Sequence, residues 1–474
     1  MARQTDVLLL VNAMMGQFIS GIASRIFIVA LPTIAAALNA DILAVSWAVI
    51  AFELAGISLS VVFGRLGDIY GRHAIYGAGF VIMTLSSVLC GLASGVGWLI
   101  GFRLVQGIGA ALIASATRVL AMEASPEGAE GRANGFMTMS YHGGLLLGPP
   151  LGGLVIDWLN WRWVFFLLVP IGVAGMVLTA IRGRGRRVAP AQPPPAIDYL
   201  GASLLVALTV MLTLVLDRRS VEAIGGGHRS VLIALFALGL AGFLVHERRA
   251  VNPVVNLALF RIRMFVFSVL SLLLFATTSS VLAFLLPFYL QDVLHHSPSF
   301  MGLVFLAAPV STIGLAVLAG HLTDRLGPRI PATVGLSIIM IAFAIGIVLK
   351  ADSHWTLPAL LLAFLGVGQG FFNTPNQTAI IGSVPRAYRG FATGMVQMLF
   401  GLGSLLGISL GGALLTQLFR HYSGLPEATP TADAAEPFVA AMSATYAACF
   451  VMMAVALATS LLRGGRRIEA AALD

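Results

Sequence analysis

Gly64-Arg65-Leu66-Gly67-Asp68-Ile69-Tyr70-Gly71-Arg72 recurs later in the chain as Gly320-His321-Leu322-Thr323-Asp324-Arg325-Leu326-Gly327-Pro328-Arg329. The leading glycine, the leucine, the aspartate and the last glycine each shift by the same 256 residues. A pattern repeated at one fixed distance implies two halves of like structure. Each copy follows the second apolar run of its half, 43–64 in the first and 299–320 in the second. Runs of this length cross a hydrocarbon core of about 30 Å as helices. Two helical halves sharing such a loop imply a transporter whose binding site lies at their interface.

Outward from these loops the pattern continues to both ends. Of 474 residues, 58% are hydrophobic and 10% charged, with mean hydropathy +0.94, whereas soluble chains are about a quarter charged. The first run, 7–38, is too long for a signal-peptide core, and no small-residue cleavage site follows a short one, so it is read as a retained helix. Expected spans are 8–36, 43–64, 74–94, 97–121, 132–156 and 163–182, then 197–216 and 229–246. The second half supplies 264–290, 299–320, 330–350, 357–381, 390–416 and 438–462. The expected fold is an all-α polytopic membrane protein of two six-helix bundles, 1–182 and 264–474. Between them, 183–263 holds a basic, proline-rich linker and two extra central helices, fourteen helices in all.

Charge orients this arrangement. With the amino terminus inside, nineteen of the 28 basic residues fall in cytoplasmic segments, six on the opposite side and three within spans. Such a bias places both termini in the cytoplasm of a cell (inner) membrane, and a miscount of one helix would destroy it. The net charge of +8 would suggest nucleic acid in a soluble protein, but in a membrane protein its position matters more, and no nucleic-acid partner is expected. Cys90 and Cys449 lie in separate runs and give neither a disulfide framework nor a metal cluster. No HExxH, GxSxG or Walker-type loop occurs, so neither enzyme chemistry nor a cofactor is expected. The expected partners are membrane lipids, protons and a small amphipathic substrate, with the chain acting as a monomer.

The rare polar residues inside the spans carry the chemical information. Glu53 is the only acid placed deep in a run, joined by Arg25, Arg103 and Arg118. Each costs about 2.5–3.5 kcal/mol at a helix centre unless paired or wet, so such residues normally face a cavity. The second half offers uncharged candidates, Asn373, Asn376, Gln377 and Gln397, and Gln106 accompanies Arg103. Glu53 is the proton carrier by elimination. A static Glu53–arginine ion pair is the competing reading, and His142 is a second titratable candidate. In the repeated loops Gly64, Gly71 and Arg72, with Asp324 and Arg325 in the second copy, are expected to gate. Asp68 is expected to complement the dipole of the following helix and to pair with arginines across that face.

Three stretches carry a family resemblance. The 64–72 loop resembles the signature loop between the second and third helices of the major facilitator superfamily. Arg103-Leu104-Val105-Gln106-Gly107-Ile108-Gly109-Ala110-Ala111 resembles its fourth-helix pattern. Gly144-Leu145-Leu146-Leu147-Gly148-Pro149-Pro150-Leu151-Gly152-Gly153 resembles its fifth-helix antiporter motif. The extra helix pair and Tyr289-Leu290-Gln291-Asp292-Val293, with Ser297, Pro298 and Gly302 following, resemble the fourteen-helix drug:proton antiporter branch. The resemblance implies proton-coupled efflux of amphipathic, drug-like compounds by alternating access, with Arg103 near the proton-coupling step. It also links Gly144, Gly148, Pro149, Gly152 and Gly153 to a bent, close-packed helix that seals the bundle interface. The chain departs from the branch in its first helix, where Ala23, Arg25 and Ile28 stand at its aspartate, threonine and asparagine positions. Ile69 replaces a basic residue and Arg118 an apolar one. Three arginines against one glutamate favour anionic or zwitterionic amphiphiles. Export or flipping of an endogenous lipid or anionic metabolite is the second reading; a membrane-embedded enzyme or sensor, which no motif supports, is the third.

Overall fold

A computed structural model describes residues 5–40, 42–126, 128–183, 198–216, 229–250, 253–296, 298–424 and 435–464. The linker expected at 183–196 lies, beyond Gly183, outside the described residues, as do Ser297 and most of the 419–437 loop. The first half comprises α1 (Val7–Ala37), α2 (Ile42–Tyr70), α3 (Arg72–Gly91), α4 (Val96–Ala124), α5 (Glu130–Trp158), α6 (Trp163–Phe166) and α7 (Leu168–Gly183). Next come α8 (Tyr199–Leu216) and α9 (Arg229–Arg249). The second half comprises α10 (Arg263–Phe288), α11 (Pro298–Phe305), α12 (Ala307–Leu326), α13 (Arg329–Ile347), α14 (Thr356–Gly382), α15 (Arg389–Ser423) and α16 (Ala435–Leu462). Helices satisfy their own backbone groups, which lipid cannot, and no strand occurs among the described residues.

Among the described residues twelve helical spans are long and apolar enough to cross a membrane. Of the fourteen expected runs, Glu130–Trp158 and Tyr199–Leu212 are outside that set; seven glycines and the polar start Glu130-Gly131-Arg132-Ala133-Asn134 dilute the former. Two runs expected as single helices are interrupted for one reason. Pro170 and Pro309 have no N–H to return to Phe166 and Phe305 four residues back, and α6 and α11 end at those residues.

Each half packs around its own core. Ile22, Phe27, Tyr76, Phe80, Met83 and Phe165 are buried together in the first bundle. Phe265, Phe275, Leu282, Phe343, Phe372 and Tyr446 anchor the second. Helices α8 and α9 pack on each other, and α8 lies against α2 and α15, outside the junction of the bundles. The bundles meet along two crossings, α2 on α15 and α5 on α12. The end carrying both repeated loops is called the motif end below.

Candidate functional site

The two crossings are related by the internal repeat. At one, Gly64 of α2 lies backbone to backbone on Gly390 of α15, and Ser60 on Gly394. At the other, Gly320 of α12 lies on Gly131 of α5, and Ala316 on Gly135. A Cβ added to Gly131 would stand 2.5 Å from the Gly320 carbonyl oxygen, and one on Gly135 would stand 2.7 Å from that of Ala316. Small residues four apart let helices approach this closely.

The aspartates of the repeat finish each crossing. Asp68 accepts hydrogen bonds from the backbone N–H groups of Gly390 and Phe391, both at 3.0 Å. Asp324 accepts from those of Gly131 at 2.7 Å and Arg132 at 3.1 Å. Each carboxylate thus sits on the unsatisfied N–H groups at the start of a helix in the opposite bundle, where the helix dipole favours negative charge. This corrects the expectation for Asp68: it ends α2 and complements α15, not α3. Its expected arginine is present, since Arg72 donates to Asp68 at 2.8 Å and pairs with Glu123. Arg72 also reaches the Arg386 carbonyl at 2.8 Å, and Arg65 lies over the Tyr388 ring. Gly71 has φ +98°, a turn conformation suited to glycine. Arg325 is exposed beside its crossing, where Arg132 is the partner of Asp324 at 3.9 Å.

Above the crossings a cavity of ≈ 150 Å³ opens between the bundles. Its wall includes Gln17, Ser20, Glu53, Arg118, Thr138, Tyr141 and His142 from the first bundle, and Asn373, Gln377, Gln397 and Phe400 from the second. Glu53 is exposed within it and has no ion pair among the described residues. The floor is polar and crosses the interface. Asn134 donates to Thr378 Oγ1 at 3.0 Å, and Thr374 donates to Thr138 Oγ1 at 3.2 Å.

Several residues expected in the cavity lie elsewhere. Arg25 is exposed on α1 but does not line it. Gln106 is buried behind the wall, donating to Ser87 Oγ at 2.8 Å and accepting from Arg103 at 2.6 Å. Asn376 points into the second bundle, donating to the Ser268 carbonyl at 3.1 Å and accepting from Arg463 at 2.9 Å. Arg463, one of the nineteen basic residues assigned above to cytoplasmic segments, is 1% exposed. Its one signal is its place directly after the last apolar run.

The α5 motif contacts a different surface from the one expected. Gly144, Gly148 and Gly152 pack on α1 at Phe18, Ile22 and Ile26, within the same bundle. A side chain at Gly153 would meet nothing within 4 Å. Pro149 and Pro150 lie inside α5, which continues unbroken to Trp158. The glycines that do meet the opposite bundle, Gly131 and Gly135, lie three turns earlier. They were legible as a Gly-xxx-Gly pair repeated at Gly390 and Gly394.

Arg103 does not line the cavity. It donates to the Ala48 carbonyl at 3.2 Å and to Gln106, and its guanidinium lies 4.7 Å from the Phe27 ring centre and 4.2 Å from that of Phe52. It therefore ties α4 to α1 and α2. Hydrogen bonds to a charged donor contribute about 1.5–3 kcal/mol each, partly offset by the cost of burying the charge. Arg103→Met is expected to destabilise the first bundle by roughly 2 kcal/mol, lowering its melting temperature in detergent by about 4–8 °C. An unchanged melting temperature with lost transport would assign Arg103 to coupling alone.

Comparison with known proteins agrees with this architecture. The family model of the Major Facilitator Superfamily matches residues 13–407 and 267–469. The chain is 27% identical over 415 residues to the riboflavin transporter RibZ of Clostridioides difficile, covering 87% of this chain and 89% of that protein. It is 30% identical over 427 residues to the multidrug resistance protein Stp of Mycobacterium tuberculosis, covering 87% and 76%. The crystal structure of the human organic anion transporter MFSD10 superposes with TM-score 0.65 at 13% identity, covering 95% of this chain and all of that one, a likeness of fold. Two bundles of apolar helices, their paired crossings and a family match along nearly the whole chain make this multi-pass membrane protein a transporter of the Major Facilitator Superfamily.

Proposed function

We propose that the chain exports small amphipathic compounds by alternating access, driven by the proton gradient. The observation that carries the reading is the cavity between the bundles, walled off by paired crossings at one end and holding an exposed carboxyl, Glu53. In this reading all fourteen helices cross the membrane, and the arginine-rich motif end faces the cytoplasm. The structure then has its cytoplasmic side closed, and Glu53 takes up a proton from outside after cargo leaves. When the crossings part, Glu53 meets the cytoplasm and gives the proton up. One group alternating between two solutions is sufficient for coupling. The names of Stp and RibZ support a small organic cargo. Ligand pockets for such molecules are about 300–1,000 Å³, so loading requires the cavity to widen.

Glu53→Gln is expected to abolish movement of an amphipathic fluorescent compound driven by a pH gradient in proteoliposomes. Binding of that compound should survive. Gradient-driven movement retained in the variant would make Glu53 structural and pass the coupling role to His142 or to uncoupled transport.

A further inference from the structure

We propose that Arg118 is the seat of an anionic group on the transported molecule, and that Asn134 is its internal competitor, drawn onto Arg118 when the motif end closes. The proposal rests on the transport reading above. It commits that reading to amphiphiles carrying a carboxylate, sulfonate or sulfate beside an apolar body.

Arg118 lies in the cavity wall near the motif end, 5% exposed. Among the described residues no carboxylate pairs with it. Its one acceptor among the described residues is Asn134 Oδ1 at 3.5 Å, the outer limit of a hydrogen bond, and its Nε is buried with no partner among them. Arg103, also without a carboxylate partner among the described residues, is better compensated, with two acceptors at closer range and two ring faces. A cation within a membrane bundle is retained where something compensates it, and Arg118 reaches the cavity as one of its lining residues. A guanidinium presents a planar fork of donors that matches carboxylate and sulfonate oxygens. From the opposite bundle, Asn373 and Gln377 also line the cavity, and the NH2 group of either carboxamide can donate to the same anionic head across the interface. Phe52, Ile57 and Phe400 line the same cavity and suit an apolar body.

Asn134 links this seat to the floor. Its carboxamide oxygen faces Arg118, while its nitrogen holds Thr378 across the interface. Closing the motif end forms the Thr378 bond and fixes the carboxamide with its oxygen toward Arg118. An anion on Arg118 must then compete with Asn134. Parting of the bundles removes Thr378 and leaves Arg118 to the ligand. Affinity for an anion is therefore higher with the motif end open than closed, and by reciprocity a bound anion favours the open end. An exporter that loads at the motif end and releases at the other needs that order.

The test uses purified full-length protein and two probes differing in one charge, dansylglycine and its uncharged amide. The native protein should bind the anion at least about tenfold more tightly. Arg118→Gln should bring the ratio close to one, and Arg118→Lys should retain part of it. Asn134→Ala should tighten dansylglycine binding by about threefold or more without changing the amide, a result that loss of structure alone would not give. Equal binding of the probes by native protein, or a ratio unchanged in Arg118→Gln of native melting temperature, would overturn the proposal. If Arg118→Gln fails to fold, the uncharged Arg118→Met decides, an unchanged ratio overturning the seat. A preference that depends on Arg118 without gradient-driven transport would sustain the seat and overturn the transport reading.

Discussion

Gly64→Val and Gly131→Val are each expected to reduce transport by about 100-fold while leaving a folded, membrane-inserted protein. The reason is where the new atoms fall. A Cβ on Gly64 meets the backbone of Gly390 and Phe391, and one on Gly131 meets the Gly320 carbonyl at 2.5 Å and Thr323 Cβ at 2.8 Å. Flexible side chains can yield to such contacts, but two packed helix backbones cannot. Overpacking of this kind costs about 1–3 kcal/mol, equivalent to about 5–150-fold in an equilibrium, and contact between backbones belongs at the upper end. The cost exists only while the motif end is closed, so it shifts the population toward the open end rather than unfolding either bundle. Cysteines introduced near the motif end should therefore react faster in both variants. Gly153→Ala is the control: it belongs to the antiporter-like motif, yet nothing stands within 4 Å of its added Cβ, and transport should change less than twofold. Native transport in Gly64→Val, or equal losses at Gly64 and Gly153, would remove the crossings from the cycle.

How much of this was legible in sequence follows from the physics of the helices. Twelve of the spans were readable because lipid demands long apolar runs whatever the tertiary packing. The repeated Gly-x-Leu-x-Asp pattern was readable because both halves use it for the same contact. Its partner was not: Asp68 binds backbone N–H groups of Gly390 and Phe391, and backbone atoms leave no side-chain signature. Cavity residues were harder still. A helix that is apolar all round has no periodic contrast, so nothing in α14 distinguishes Gln377, which faces the cavity, from adjacent Asn376, which faces Arg463. Buried polar residues mark a helix as internally important without saying which neighbour they address. Arg118 illustrates both outcomes, because its oddity in an apolar run was visible while its competition with Asn134 needed the positions of α5 and α14.

The two aspartate caps, alike in sequence, are expected to differ in weight, and Asp68→Asn should impair transport several times more than Asp324→Asn. The Asp68 side chain is 1% exposed and bonded to Arg72 at 2.8 Å, whereas Asp324 is 12% exposed and its partner Arg132 stands 3.9 Å away and 42% exposed. Removing one member of a buried pair costs about 3–5 kcal/mol. Arg72 keeps Glu123 and some contact with water, which reduces the figure to about 2–3 kcal/mol, or about 30–150-fold. The Asp324 pair is of the surface kind, contributing about 0–1 kcal/mol, with about 0.3–1 kcal/mol more from the helix dipole. About 5-fold is then the expected loss. Both caps act on the same closed state through separate contacts, so their free energies should add in the double variant. Reactivity of cysteines near the motif end should rise in the same order as transport falls. Equal effects of the two substitutions would mean that the backbone N–H bonds, common to both caps, dominate and the buried Arg72 pair contributes little. A larger effect at Asp324 would place the controlling contact at α5 and α12 instead.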